Sequence, residues 1–166
     1  MGGNSCRDLP GVASRRAVLI AIDTNLLVYA HRPEMPLHAE ARQWLNSLPE
    51  RGEYFAIPWT CLHEFLAVVT NARIFREPTP LSTALEAVAA LHDSDLFRVI
   101  SESDRYLRYL GEVASAGRVS GAMIHDARIA AICLSNGIEH LWSADRDFTR
   151  FPRLRVSNPL LETDER

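Results

Sequence analysis

The sequence predicts a single α/β domain organised around a parallel β-sheet, and three observations lead to this fold class. Short apolar runs that are typical of buried strands alternate with longer segments of helical periodicity. Because helices separate the strands, the connections are crossovers, which produce a parallel sheet covered on both faces. The length of 166 residues suits one domain, which should bury about 70% of the surface of its unfolded chain.

The strands are predicted from runs of apolar and β-branched residues. The first run, 18–22, is wholly apolar, as expected for a strand buried on both faces. Because the last run, 154–156, is short, we expect a central, mostly parallel sheet of four to five strands. The predicted strands are, in order, 18–22, 54–57, 96–100, 140–143 and 154–156.

The helices are predicted from apolar spacing and from capping residues. Thr79 before Pro80 is typical of a helix start, with threonine as the cap and proline in the first turn. Ser103 is expected to cap a later helix in which Asp104 pairs with Arg108 one turn on. The predicted helical segments are 24–30, 37–48, 58–71, 79–92, 103–117 and 121–136.

The chain contains no internal repeat or low-complexity tract that would divide it into several domains. Residues 1–16 are rich in Gly, Ser and Arg, so we expect a flexible N-terminal extension. The folded domain is expected to span 17–160, with 161–166 as a C-terminal tail.

Composition indicates a cytoplasmic protein that does not enter a membrane. No apolar run approaches the roughly 20 residues needed to span a bilayer. Three cysteines without a Cys-x-x-Cys spacing indicate a reducing compartment, and Cys61 and Cys133 fall in apolar helical contexts. The formal net charge of −3 provides no global positive field for a polyanion, although a bound divalent cation would invert the local sign.

Four acidic residues stand in apolar surroundings, where a carboxylate is costly to desolvate. Asp23 directly follows the first strand and Asp145 follows the fourth, so adjacency of these strands would bring the two carboxylates together. Glu64 and Asp126 lie on the flanks of apolar helical segments. Clustered carboxylates suit Mg²⁺ or Mn²⁺, which activates bound water and stabilises the leaving oxygen of a phosphodiester.

Each acid also has an ordinary structural explanation. Asp23 could cap the helical turn that follows it, and Glu64 could pair with an arginine. Asp126 could be a polar-flank residue, while Asp145 and Asp147 could form turns. The joint arrangement of the acids in one α/β chain favours the metal site over these separate explanations.

The motifs and their order resemble the PIN domain, and within it the VapC-type ribonuclease toxins of type II toxin–antitoxin modules. The likeness covers nearly everything after residue 17. The segments that carry it include Ile-Ala-Ile-Asp-Thr-Asn, Pro-Trp followed by Glu-Phe, His-Asp-Ala-Arg and Trp-Ser-Ala-Asp-Arg-Asp. They occupy 20–30, 58–65, 125–131, 142–148, 151–152 and 158–160.

The resemblance implies a three-layer α/β/α fold and a Mg²⁺- or Mn²⁺-dependent endoribonuclease, a hydrolase of RNA phosphodiesters. It implies a homodimer that is held inactive by a cognate antitoxin, whose C-terminal segment lies over the site. By matching positions, the catalytic residues would be Asp23, Glu64, Asp126 and Asp145. The metal-binding residues would be Asp23, Asp126, Asp145 and the accessory Asp147, with Asn25 and Ser143 as polar supports.

Contacts to RNA are predicted from basic and aromatic side chains, each with a rival explanation. Arginines after Asp145 could contact RNA phosphates or could simply be ion-paired and solvated. They are Arg146, Arg150, Arg153 and Arg155, of which the first two are the candidates for phosphate contacts. Three aromatic residues could stack bases, although core packing or an antitoxin groove explains them better: Trp44, Trp59 and Phe75.

Two other functions compete with the toxin hypothesis. The same fold could serve a housekeeping nuclease that acts on structured DNA or RNA, although the chain carries no appended nucleic-acid module. It could also be a non-catalytic scaffold that captures a peptide through its apolar helices, although the complete acid set argues against a dead site.

Overall fold

Five short strands form one sheet in which every neighbouring pair is parallel, in a computed structural model that describes residues 19–161. The predicted extension 1–16 and nearly all of the predicted tail 161–166 lie outside the described residues. The strands are β1 Ile20–Ile22, β2 Phe55–Pro58, β3 Phe97–Ile100, β4 His140–Trp142 and β5 Arg155–Ser157. Their order in the sheet is β3-β2-β1-β4-β5, which confirms the predicted parallel sheet.

Within residues 19–161, six α-helices connect and cover the strands, which confirms the predicted three-layer α/β/α class. They are α1 Thr24–His31, α2 His38–Ser47, α3 Trp59–Val69, α4 Leu81–His92, α5 Tyr106–Ala116 and α6 Ile124–Ser135. Short 3₁₀ turns follow α2 at Leu48–Arg51, precede α6 at Gly121–Met123 and follow β4 at Arg146–Arg150.

The core lies between the central strands and the helices. Strands β1 and β2 are buried along their whole length, as their continuous apolar sequences require. Helix α1 packs against α2 and α3, whereas α6 packs against α5 and contacts β2. From residue 129 to residue 135 every side chain of α6 is buried, so this helix is a central part of the core.

Two predicted helix caps are wrong because their hydroxyls serve other partners. Thr79 accepts a hydrogen bond from Nη1 of the buried Arg32 at 2.7 Å, and α4 begins at Leu81 without a side-chain cap. Ser103 donates instead to the backbone carbonyl of Ser135 at 3.3 Å. Both hydroxyls therefore fasten loops to other elements, which local sequence cannot indicate.

The predicted ion pair on α5 is also wrong. Arg108 pairs with Glu112 through Nε and Oε1 at 2.9 Å, one turn further along the helix. Because α5 begins at Tyr106, Asp104 lies before the helix and is not one turn away from Arg108 on its surface.

Two observations bear on compartment and membrane association. Cys61 and Cys133 are free and fully buried, and burial raises the pKa of both thiols, that of Cys133 to about 12. Cys6 lies outside the described residues. Within residues 19–161, no helix is long and apolar enough to cross a bilayer.

A close approach between α5 and the core generates a first prediction. A Cβ added at Gly117 would lie 2.8 Å from Cε1 of Phe151, a ring that is 1% exposed and has no room to move. Gly117→Ala should therefore lower the free energy of unfolding by about 1–3 kcal/mol. Chemical denaturation would measure this loss.

The matched control lies on the same helix. A Cβ at Gly111 meets nothing within 4 Å, so Gly111→Ala should raise stability by up to about 1 kcal/mol through helix propensity. Equal stability of the Gly117 variant and the unsubstituted protein would contradict the packing seen here.

Candidate active site

The candidate site lies between β1 and β4, where the order in which successive strands are added to the sheet reverses. Ile22 pairs with Trp142, and the Asp23 N–H donates to the Trp142 carbonyl at 3.0 Å. The predicted adjacency of these two strands is therefore confirmed. Ligands of open α/β sheets bind at the carboxyl ends of strands at such a reversal point, because the loops diverge there and leave a crevice.

All four predicted acids line one cavity of about 220 Å³ at this edge. We call it the acidic cavity and define it by Asp23, Glu64, Asp126 and Asp145. Asn25 also lines it, with Phe148 and Ile129 as apolar wall. Four elements thus supply the acids: the end of β1, helix α3, the first turn of α6 and the loop after β4.

Asp23 is 4% exposed and its carboxylate is held by four hydrogen-bond donors. Oδ1 accepts from the Thr24 N–H at 2.8 Å, which makes Asp23 the N-cap of α1, and from the Cys61 thiol at 3.7 Å. Oδ2 accepts from Asn25 Nδ2 at 2.8 Å and from Ser143 Oγ at 2.7 Å. The capping explanation of Asp23 is therefore confirmed, and the same carboxylate lies among the acids, while its metal-binding role stays a prediction.

Asn25 and Ser143, the two predicted polar supports, connect the ends of β1 and β4. Asn25 Nδ2 donates to Ser143 Oγ at 3.0 Å, and Asn25 Oδ1 accepts from the Ala144 N–H at 3.1 Å. The Ser143 hydroxyl also accepts from the Asp145 N–H at 2.9 Å. One network therefore fixes Asp23 and the start of the loop that carries Asp145.

Thr24 is a site residue that the sequence reasoning missed. Its hydroxyl donates to Glu64 Oε2 at 2.7 Å and so links the carboxylate on α3 to the residue after Asp23. An arginine partner, the ordinary structural explanation of Glu64, is not observed in the described part of the chain. Forty residues separate Thr24 from Glu64, and no local pattern indicates their contact.

Asp126 and Asp145 face the acidic cavity with more solvent around them. Asp126 is half-buried in the first turn of α6. Burial raises its pKa, and the charges of Asp145 and Asp147 raise it further. Asp145 is exposed and accepts from the Asp147 N–H at 2.8 Å, so it also caps the 3₁₀ turn that follows.

Asp147 lies outside the lining of the acidic cavity. Its side chain is 64% exposed and forms an ion pair with Arg150 at 3.3 Å. Arg153 is also paired, with Glu112 at 2.6 Å, whereas Arg146 is exposed. The structure therefore brings the four principal acids to one cavity and leaves Asp147, the accessory acid, outside its lining.

Comparison with known proteins agrees with this geometry. The profile of the PIN domain family matches residues 20–154. The chain belongs to the PIN domain family. It is 39% identical to the VapC ribonuclease Mb2897 of Mycobacterium bovis over 142 residues, which cover 86% of this chain and 96% of that protein. It is 33% identical to Ribonuclease VapC25 of Mycobacterium tuberculosis, over 85% of this chain and 99% of that protein.

Solved structures share the fold of this PIN domain at lower identity. VapBC2 from Rickettsia felis, bound to a promoter DNA fragment, matches with a TM-score of 0.62 and 19% identity over 84% of this chain and 98% of that chain. The sarcin–ricin loop cleaving toxin VapC20 of Mycobacterium tuberculosis matches with a TM-score of 0.59 and 20% identity, over 82% and 98%. These likenesses establish the three-layer fold.

Asp23 is the electrostatically strained acid of this PIN domain. Burial above all, together with the charges of Glu64 and Asp145, raises its pKa to about 6, although the hydrogen bonds from Ser143 and Thr24 lower it. The network therefore orients the carboxylate without removing the cost of its charge. A bound cation would relieve that cost, because it would interact favourably with all of the acids.

The donor chemistry of the acidic cavity fits a hard divalent cation. Apart from the Tyr29 phenol, its ionisable lining consists of carboxylates, which Mg²⁺ and Mn²⁺ prefer over nitrogen or sulfur ligands. Within residues 19–161, no three His, Cys, Asp or Glu side chains converge closely enough to form a complete ligand set. Because Mg²⁺ usually keeps several waters and binds through one or two carboxylates, this looser arrangement still suits it.

The raised pKa of Asp23 generates a prediction about stability without metal. A carboxyl whose folded pKa of about 6 exceeds its reference value of 3.8 binds more protons when folded, so its contribution falls as pH rises between those values. Asp23→Asn removes this pH-dependent loss of unfolding free energy, because asparagine does not ionise. The difference in unfolding free energy, variant minus unsubstituted, should rise by roughly 2–3 kcal/mol between about pH 4 and about pH 7.

Denaturation in chelated buffer across this pH range would measure that difference. The lost acceptor oxygen adds an offset that does not change with pH, so the slope isolates the charge of Asp23. Asp95→Asn, an exposed carboxylate, is the matched control and should show no such slope. A difference that stays constant with pH would contradict the strained state of Asp23.

Proposed function

We propose that this chain is a metal-dependent endoribonuclease and the toxin of a toxin–antitoxin module. The observation that carries the proposal is the acidic cavity, in which four carboxylates from separate elements meet where β1 and β4 end. Relatives that share 39% and 33% identity with the chain are named VapC ribonucleases, which supports RNA as the substrate.

In this proposal the chain's own residues position a divalent ion and the scissile phosphate. Asp23 is the anchor, since four donors fix its orientation before any ligand arrives. Thr24 donates to Glu64, which lines the same cavity, and Asp126 and Asp145 are its other two carboxylates. A Mg²⁺ or Mn²⁺ ion there would supply an activated water and charge neutralisation at the leaving oxygen.

Arginine side chains near Asp145 are proposed to contact RNA phosphates. The Arg146 side chain is exposed and forms no hydrogen bond or ion pair with the described residues 19–161. Arg150 pairs with Asp147 through a 3.3 Å contact at the surface, and such exposed pairs are weak enough to open for a phosphate. RNA binding should therefore weaken as salt concentration rises.

A cognate antitoxin and a second copy of the chain are the proposed protein partners. Solved neighbours include VapBC from Salmonella typhimurium bound to DNA and VapBC-1 from nontypeable Haemophilus influenzae. An antitoxin segment that lies over the acidic cavity would block both the metal and the RNA, which is the simplest route to inhibition.

Removal of the anchor carboxylate tests the proposed activity. Asp23→Asn keeps the shape of the side chain but removes its charge, and it should lower Mg²⁺-dependent cleavage of total cellular RNA by at least about a hundredfold. It should also relieve growth inhibition on expression. Cleavage-site mapping with and without divalent metal measures the activity, and calorimetric titration with Mn²⁺ measures metal binding independently.

Asp95→Asn again provides the control, since it removes an exposed carboxylate on another edge and should leave both activity and Mn²⁺ binding unchanged. Full RNA cleavage by a folded Asp23→Asn protein would overturn the proposal. Cleavage of structured DNA in preference to RNA would favour the housekeeping nuclease.

A further inference from the structure

A second cavity lies beside the acidic cavity and has a different chemistry. It measures about 340 Å³, and its lining consists of Thr60, His63, Glu64, His125, Arg128 and Ile129. We call it the side cavity. The two cavities share Glu64 and Ile129. An extended ligand that occupies one cavity can therefore continue into the other past the Glu64 carboxylate.

The side cavity carries donors that the fold itself leaves in part unused. Thr60 Oγ1 is buried and has no hydrogen-bond partner among the described residues, a costly state unless a ligand or water meets it. Arg128 donates to Glu102 Oε1 from Nε at 3.0 Å and from Nη2 at 2.6 Å. That pair fixes the guanidinium plane and makes no use of Nη1, which stays available to an anion.

An exposed tryptophan stands at the edge of this arrangement. The Trp59 ring stacks on His63, with ring centroids 5.7 Å apart and an interplanar angle of 30°, and His63 lines the side cavity. Trp59 is 37% exposed, whereas Trp44 and Trp142 are 7% and 3% exposed. Of the three predicted base-stacking aromatics, Trp44 and Phe75 therefore belong to the core, and Trp59 is the exposed one. The His92 imidazole also contacts its ring, with centroids 5.9 Å apart and an interplanar angle of 38°.

We propose that the side cavity and Trp59 bind one unpaired nucleotide of the RNA substrate, next to the bond that is cut. The base stacks against the Trp59–His63 pair, and its phosphate accepts a hydrogen bond from Arg128 Nη1. This inference rests on the proposed ribonuclease function and names the residues that bind the substrate beside the cut bond. Because a stacked base must leave its helix, the contact requires an unpaired nucleotide.

Charge distribution supports a phosphate in the side cavity and not in the acidic one. The acidic cavity collects four carboxylates and repels an anion unless a cation is bound. The side cavity replaces three of these acids with Arg128 and two imidazoles, His63 and His125. Its remaining acid, Glu64, faces both cavities and is held by Thr24. An RNA strand would thus place a flanking phosphate beside Arg128, whose Nη1 is not used in its pair with Glu102.

The test measures binding of a labelled, unstructured RNA of about ten nucleotides to the full chain that carries Asp23→Asn, which prevents cleavage. In that background, Trp59→Ala should weaken Kd by about tenfold, because one base loses its stacking partner. Trp59→Phe should restore most of the affinity. The matched control is Tyr54→Ala, which removes a 58% exposed aromatic ring outside both cavities and should leave Kd unchanged.

Salt dependence separates the two contacts. Arg128→Gln should lower the slope of log Kd against log salt by about 0.7, the value of one phosphate contact on a single strand. Trp59→Ala should leave this slope unchanged, because stacking involves no counterion. Arg108→Gln provides the control, since it breaks a comparable surface pair with Glu112 at 2.9 Å on another helix.

Each remaining outcome overturns a defined part of the inference. If the unsubstituted protein cleaves RNA while the Trp59 and Arg128 variants bind the oligonucleotide like their parent, the nucleotide subsite is wrong and the proposed function stands. If the unsubstituted protein neither cleaves nor binds RNA, both are wrong. If Trp59→Ala changes the sedimentation mass but not RNA affinity, the ring belongs to an interface between copies, and the subsite is likewise wrong.

Discussion

The structure depends on a buried carboxylate that is held at the junction of two parallel strands. Asp23 follows β1, and the 2.7 Å hydrogen bond from Ser143 Oγ ties it to the residue that follows β4. Asp23 Oδ2 also accepts from Asn25 Nδ2, and the side-chain Oδ1 of Asn25 accepts from the Ala144 N–H. Hydrogen bonds to the Asp23 carboxylate therefore connect the ends of β1 and β4. The fold and the candidate site share this one set of interactions.

This arrangement exchanges stability for function. A carboxylate at 4% exposure, near two other acids, costs more than its hydrogen bonds recover, as its raised pKa shows. An apolar residue at position 23 would avoid this cost, but it would remove the α1 cap and the carboxylate of the acidic cavity. Strain of this kind is typical of functional sites, where the ligand and not the protein supplies the compensating charge.

Sequence alone predicted the parts of this protein that local pattern and strand order determine. The apolar strands, the parallel sheet and the convergence of four acids follow from runs such as 18–22 and from the position of Asp23 and Asp145 after strands. Long-range hydroxyl contacts could not be predicted. Thr79 binds Arg32 and Thr24 binds Glu64, and each contact joins residues at least 40 positions apart whose pairing depends on the finished packing. Asp147 lies outside the lining of the acidic cavity and pairs with Arg150 three residues along the 3₁₀ turn, and its accessory metal-binding role stays a prediction.

Helix α3 contributes side chains to both cavities and so fixes their relative position. Strand β2 ends at Pro58 and the helix begins at Trp59, so strand register directly fixes the first two helical turns. Those turns carry the exposed ring of Trp59, the unpaired hydroxyl of Thr60 and the shared carboxylate of Glu64. Because Thr24 ties Glu64 to the residue after β1, the helix cannot shift along its axis without breaking a contact to the Asp23 junction. The distance between the place where a base would stack and the place where a phosphodiester would be cut is therefore set by the sheet, whose strands β1 and β2 are buried along their whole length.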